Sequence, residues 1–513
     1  MTTTSRTKLA ALVATVAASA LSSTAGAEAL RDRFSAGGYF RIMTRPDFQG
    51  GASQLGYWNL YGRLLNEGPW GALELKLDIV QNNPGKNDAW AAVFAKIEGG
   101  SFANTDMGKG NLGNYANTQL YVKAGNILLH GVTWQLGTLY TYPGDLGLYD
   151  MRPADLFWDT VGLSATWDSR YLQLILGVGD AGFSTRGTSY STILTGGGFL
   201  KLHINHFELG AGAQYRYEPQ VAGNKNAPYA TTLGGAAIAY EDFARREVVK
   251  SWLEENPGQA LLFPKPEARA SESWKAVGYL GFGGFGPLRW NSLYFNYQRL
   301  HPDNFYQENV AGQEYSIYVH DLTDDRYQWL LGNEMQIAVI PNRLDVVWGL
   351  VYGQAFNADK QAADGSAQRI PGDDSRTFVS TVLRLQAYLT KTVHLLAESS
   401  LAQEKSDLGN AYRTHRDSVF QNSAGVPDAR GLEYGDSDTR NTWQLKVGPV
   451  LNPTGVGIFT RPSLRILYGL QYSSQQAAYG NSFVQTLDQY NDFPTSSESH
   501  WHHVLAIEAE AWF

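Results

Sequence analysis

Three stretches of the chain place charged and aromatic side chains at alternate positions: Gly38-Tyr39-Phe40-Arg41, Glu74-Leu75-Lys76-Leu77 and Glu508-Ala509-Glu510-Ala511-Trp512. On a β-strand, where side chains alternate between faces, Tyr39 shares a face with Arg41. Glu74 likewise shares one with Lys76, and Glu508 shares one with Glu510 and Trp512. A flat aromatic ring beside charged hydrogen-bonding groups suits a neutral polyol. The C–H face of a sugar ring stacks on Tyr or Trp, and its hydroxyls pair with carboxylates, guanidinium groups and amides. Covalent chemistry has no comparable foothold. The sequence holds no G-x-S-x-G, H-E-x-x-H or P-loop, and it has no cysteine. His502-His503 and the His203/His206 pair lack the acidic or thiolate cluster that a metal site needs, and they read as interior or rim histidines. No catalytic residue, metal or cofactor is expected.

The elements that carry these residues are strands. In Leu73-Glu74-Leu75-Lys76-Leu77-Asp78-Ile79 every odd position is aliphatic and every even one charged. Leu200 to Asn205, Leu120 to Ala124, Phe207 to Tyr217 and Trp443 to Val447 repeat the pattern. About eighteen such segments follow one another. Their cores lie near 38–44, 70–79, 90–98, 118–124, 132–141, 159–167, 171–180, 198–205, 206–217, 274–285, 290–299, 325–339, 343–353, 375–388, 392–402, 439–451, 463–473 and 501–513. A soluble sandwich would alternate as well, so the connections decide. Those after even-numbered segments are short, as at Asp168-Ser169-Arg170, Asn205-His206 and Pro341-Asn342-Arg343, and those after odd-numbered segments are long and polar. Short turns at one end, long loops at the other and an even strand number describe an antiparallel transmembrane β-barrel of an outer membrane, solvated by lipid outside. A closed sheet also explains how a secreted chain is held without disulfides.

Targeting agrees. Arg6 and Lys8 precede the apolar run Leu9 to Leu21, and Ala25-Gly26-Ala27 is an A-x-A-like cleavage site, so residues 1–27 read as a removed signal peptide. The mature chain is then 28–513. Removing Arg6 and Lys8 takes the formal charge from −8 to −10, which argues against a nucleic-acid partner. The longest insertion, 218–273, is expected to be a loop lobe with a short helix within Ala236 to Asn256, stopped by Pro257-Gly258; it sits either beside or over the barrel mouth. The final segment alternates to its end at Trp512-Phe513, which resembles the C-terminal signature of bacterial outer-membrane proteins.

With this parity the inward side chains include Tyr39, Arg41, Trp70, Glu74, Lys76, Arg465, Glu508, Glu510 and Trp512. Both charge signs share the lumen with aromatics, whereas large rings of one sign would bias a pore toward ions. Tyr39, Trp70 and Trp512 are read as an aromatic track for solute, with interfacial girdling as the alternative for each.

At these residues the sequence resembles the maltoporin family of sugar-specific outer-membrane porins. Gly38-Tyr39-Phe40-Arg41 is similar to that family's first strand, and Glu74-Leu75-Lys76-Leu77 to its second. Thr133-Trp134-Gln135-Leu136-Gly137, Tyr149-Asp150 and Phe157-Trp158-Asp159 are similar to its fifth strand and inward-folded third loop. Thr442-Trp443 through Arg465 resembles its penultimate hairpin. The resemblance implies a homotrimer of eighteen-stranded barrels and facilitated diffusion of maltodextrin-like or other sugars along an aromatic ribbon. Tyr39 and Trp512 would be ribbon members with Arg41 beside them, while Trp70 lies near a ribbon position that Ala72 matches better. The loop residue that narrows the pore falls among Tyr149, Asp150, Arg152, Phe157 and Trp158. A general-diffusion pore, or a barrel with a structural or enzymatic role, is the alternative.

Overall fold

Period-two alternation is realised as eighteen antiparallel strands closed on themselves. A computed structural model describes residues 33–44, 59–82, 87–100, 115–141, 143–181, 192–219, 232–233, 236–237, 270–300, 305–310, 313–318, 326–357, 376–406, 439–474 and 500–513. The first nine strands are β1 (Phe34–Thr44), β2 (Trp70–Val80), β3 (Trp90–Gly100), β4 (Tyr115–Gly125), β5 (Val132–Thr141), β6 (Leu156–Asp168), β7 (Leu172–Asp180), β8 (Leu194–Ile204) and β9 (Phe207–Glu218). The second nine are β10 (Ser271–Phe285), β11 (Leu288–Leu300), β12 (Arg326–Ile340), β13 (Leu344–Asn357), β14 (Arg376–Tyr388), β15 (Val393–Ser406), β16 (Thr439–Leu451), β17 (Ser463–Ser473) and β18 (Trp501–Trp512). Each pairs with its sequence neighbours, and β18 returns to β1 with Tyr39 opposite Trp512 and Arg41 opposite Glu510. No strand of this sheet is left with a free edge.

Connections after even-numbered strands run from two residues, at Asn205-His206 and Gly286-Pro287, to the stretch from Asn452 to Pro462. Asn205 and Asn342 take left-handed backbone at φ 52° and 57°, which the turn geometry requires and asparagine tolerates. The long connections lie at the opposite end. One holds a hairpin, Phe305–Val310 with Gln313–Tyr318, that the sequence pattern does not announce. Another holds a two-residue strand pair, Thr232–Leu233 with Ala236–Ala237. The helix expected from Ala236 to Asn256 therefore begins on strand residues, and its remainder lies outside the described residues, as does the signal segment.

The outer wall is apolar and exposed: Leu73, Leu136, Leu163, Leu176, Val178, Leu209, Leu401, Leu505 and Ile507 all point away from the interior. Exposed aromatics gather at its two rims. Trp167, Tyr171, Phe207 and Phe285 stand at the short-turn rim, and Tyr215, Trp274, Tyr327 and Trp501 at the long-loop rim. Apolar residues between two aromatic belts form the surface of a barrel immersed in lipid.

Candidate functional site: the barrel lumen

The interior is not uniformly hollow. Two segments from long connections fold inward, residues 59–68 between β1 and β2 and residues 143–155 between β5 and β6. The first opens with a 3-10 turn, Asn59–Tyr61, and is pinned to β14–β18 by buried polar groups. Lys446 Nζ donates to Tyr61 O at 2.9 Å and to Glu398 at 2.8 Å. Arg384 pairs with the other Glu398 oxygen at 2.5 Å. Arg440 donates to the Tyr61 hydroxyl at 2.7 Å and pairs with Glu404, to which Tyr61 also donates. Asn66 donates to Gln444 at 2.9 Å. Charges so deep in a low-dielectric interior persist only when paired, and here each carboxylate meets at least one cation.

A second cluster closes the seam of the barrel. Arg41 pairs with Glu67 and donates to Gly68 O at 2.8 Å. Arg63 reaches Glu67, Glu510 and the Tyr39 hydroxyl, each at 3.2 Å. Glu510 also receives Tyr39 OH at 2.8 Å, Arg461 at 2.6 Å and Arg465 at 2.8 Å; Arg465 pairs in addition with Glu508. Tyr39, Arg41, Arg465, Glu508 and Glu510 are therefore one network, held together by Arg63, Glu67 and Arg461, which sequence reading had not placed in it. The (i, i+4) spacing of Arg63 and Glu67 is a visible signal of a pair, but it does not say where the loop that carries the pair runs.

The second inward segment rests on the first and on the far wall. Arg63 N donates to Leu148 O at 2.8 Å. Glu334 accepts the Gly147 and Leu148 amides at 3.1 and 2.7 Å. Tyr149 is buried with its hydroxyl donating to Ser380 O at 3.2 Å, and a Cβ on Gly349 would lie 2.7 Å from its ring. Wall glycines thus leave room for loop side chains; Gly332 does the same for Leu146. Leu60, Tyr61, Leu146, Leu148, Tyr149, Phe157, Phe199, Tyr294, Val347 and Val351 form a continuous buried apolar cluster inside this half of the barrel.

The residues expected to narrow the lumen divide accordingly. Asp150 is exposed and Arg152 half-buried on the inward segment, with Arg152 donating to the Tyr140 hydroxyl. Phe157 and Trp158 belong to β6 and not to the loop, and Phe157 packs against Gly177. The Trp158 side chain lies outside the described residues. Asp150 also meets Glu67 of the first segment. Burial pushes the Glu67 carboxyl up despite Arg63 and Arg41. At Asp150 the Arg63 guanidinium, the Glu67 hydrogen bond and Arg152 hold the carboxyl below the usual range.

Water-accessible wall remains beyond these plugs. Glu74 has 65% of its side chain exposed and Lys76 has 37%. Lys76 pairs with Asp78 at 2.9 Å and Lys96 with Glu98 at 2.9 Å. Trp512, 60% exposed, stands 6.5 Å from Tyr39 with the Arg461 guanidinium 5.9 Å from its ring centre. Trp70 is half-buried opposite Arg41 and Gly100. His502 points inward and is buried, while His503 points outward to Tyr468 at 2.6 Å.

No protein-family model and no curated protein matches the chain. Among solved structures, OprD of Pseudomonas aeruginosa is similar at 8% identity, covering 94% of this chain and 95% of that one, with a TM-score of 0.39. OccD3 of the same organism is similar at 9% identity over 94% and 91%, TM-score 0.38. Wzi of Escherichia coli, described as a carbohydrate-binding β-barrel involved in Group 1 capsule assembly, is similar at 12% over 92% and 83%, TM-score 0.37. By its own closed sheet, apolar wall and paired aromatic belts, this chain is an outer-membrane β-barrel.

Proposed function

We propose that the barrel is a passive, non-catalytic pore narrowed by residues 59–68 and 143–155, and that sugars are its preferred solutes. The observation that supports this best is the division of the interior. Buried ion pairs hold the first loop segment and hydrogen bonds to Glu334 the second, and a hydrated wall of both charge signs is left with an exposed Trp512 beside Tyr39. An aromatic plate with a charged rim offers a sugar its two needs, a stacking face and hydroxyl partners. Mixed charge favours polar neutral cargo over either ion. Whether the sugar is a maltodextrin is open to the same experiment: conductance of purified barrels in planar bilayers, titrated with a panel of sugars. Saturable block by a sugar supports the reading, and block by none reduces the protein to a general-diffusion pore.

The buried apolar cluster gives a second reading some support, a barrel that binds carbohydrate without conducting. Absence of ionic conductance would favour it. We also propose a trimer. On the outer wall the hydroxyls of Thr381 and Ser399 accept the indole N–H groups of Trp348 and Trp443, which places polar groups where a neighbouring subunit could cover them. Crosslinking in native membranes tests this.

A further inference from the structure

The hydrated wall carries a second aromatic feature, remote in register from the Tyr39–Trp512 pair. Phe94 of β3 and Tyr121 of β4 are cross-strand partners whose rings stack at 4.9 Å with 14° between planes. Lys123 of β4 lies over both, with its ammonium 5.7 Å from the Phe94 centre and 5.4 Å from the Tyr121 centre. Its neighbours in register are Ala92 on one side and Gln135 on the other. Among the described residues no carboxylate pairs with Lys123, while Lys76 of β2 and Lys96 of β3 each have one. Beside Tyr121 the same row continues through Gly137, Gly162 and Gly179 on β5, β6 and β7. All three are half-exposed and carry no side chain, so the wall beside the platform is backbone alone.

These groups make a shape and a charge. No side chain on the glycine row stands over the stacked pair, the pair supplies an apolar face, and an ammonium held by cation–π contact keeps its N–H donors free for an acceptor. A neutral sugar would use the face and leave the charge unanswered. We propose that this platform is a binding subsite for a sugar ring carrying a carboxylate, of the hexuronate class, with Lys123 receiving the carboxylate and Phe94–Tyr121 the ring. The proposal deepens the sugar-pore reading and rests on it for the route by which the ligand arrives, though not for the binding itself.

Equilibrium dialysis of labelled glucuronate against the purified full-length barrel tests the subsite without requiring conduction. Lys123→Gln should weaken glucuronate binding about tenfold, the equivalent of one hydrogen bond to a charged group, and leave glucose binding unchanged. Lys123→Arg should retain most of the affinity. Wild-type glucuronate binding should also weaken as salt is raised, which needs no variant to fold. Equal loss of glucose and glucuronate in Lys123→Gln, or glucuronate binding indifferent to both salt and Lys123, would overturn the assignment. Glucuronate binding that depends on Lys123 in a barrel that conducts nothing would uphold the subsite and remove the pore.

Discussion

In the proposed sugar pore, Trp512 and Tyr39 are the residues that would set solute selectivity. Trp512→Ala should weaken sugar block per open pore while leaving salt conductance equal or higher, because the lumen only widens; block is read in single channels. Tyr39 differs, since its hydroxyl is held by Glu510 and Arg63. Tyr39→Phe therefore tests the network and Tyr39→Ala the stacking face. Arg384 is buried against Glu398. Arg384→Ala leaves Glu398 with Lys446 as its one cation among the described residues and should cost about 3–5 kcal/mol of stability, measured as a lowered denaturation midpoint in detergent. The Glu67–Asp150 pair gives a pH dependence. Glu67, whose carboxyl is pushed up, binds its proton first as pH falls, and Arg41 and Arg63 then lose part of their counter-charge. Reversal potentials should shift toward anion preference on acidification, and the shift should vanish in Glu67→Gln.

Among the elements, the inward segments control the bore. Glu334 holds the Gly147–Leu148 backbone by two amide bonds, and Glu334→Ala removes both. Larger and noisier single-channel conductance is expected, and a trace identical to wild type would show that residues 143–155 need no such anchor. The strands were legible in the sequence because lipid outside and water or plug inside impose a strict period of two, as in Leu73 to Ile79. Turns were legible too, since Asn205 and Asn342 sit where left-handed backbone is needed. The inward course of 59–68 was not. Its anchors Glu398, Glu404, Arg440 and Arg461 lie hundreds of positions further along the chain, and alternation reports only that a side chain points inward. It does not report what the side chain meets there. Phe157 fell on the wrong side of a loop boundary for a related reason: β6 begins at Leu156, within an aromatic stretch that reads equally as loop or strand.

Across the whole molecule, the claim is a lipid-embedded barrel with a narrowed hydrated path. Leu75 faces outward near mid-strand, so Leu75→Arg should cost about 2–4 kcal/mol if it lies near the bilayer midplane. Epitope tags at Asn410 should be readable on intact cells, and tags at Asn342 only after the membrane is opened. The measurement that reaches the central claim most directly is single-channel conductance of the purified protein with a sugar panel that includes glucose, maltotriose and glucuronate. The account predicts a small, stable ionic conductance blocked in a saturable way by at least one of these, with the block weakened by Trp512→Ala. Steady conductance that no sugar reduces, or no conductance from a correctly folded barrel, would contradict it.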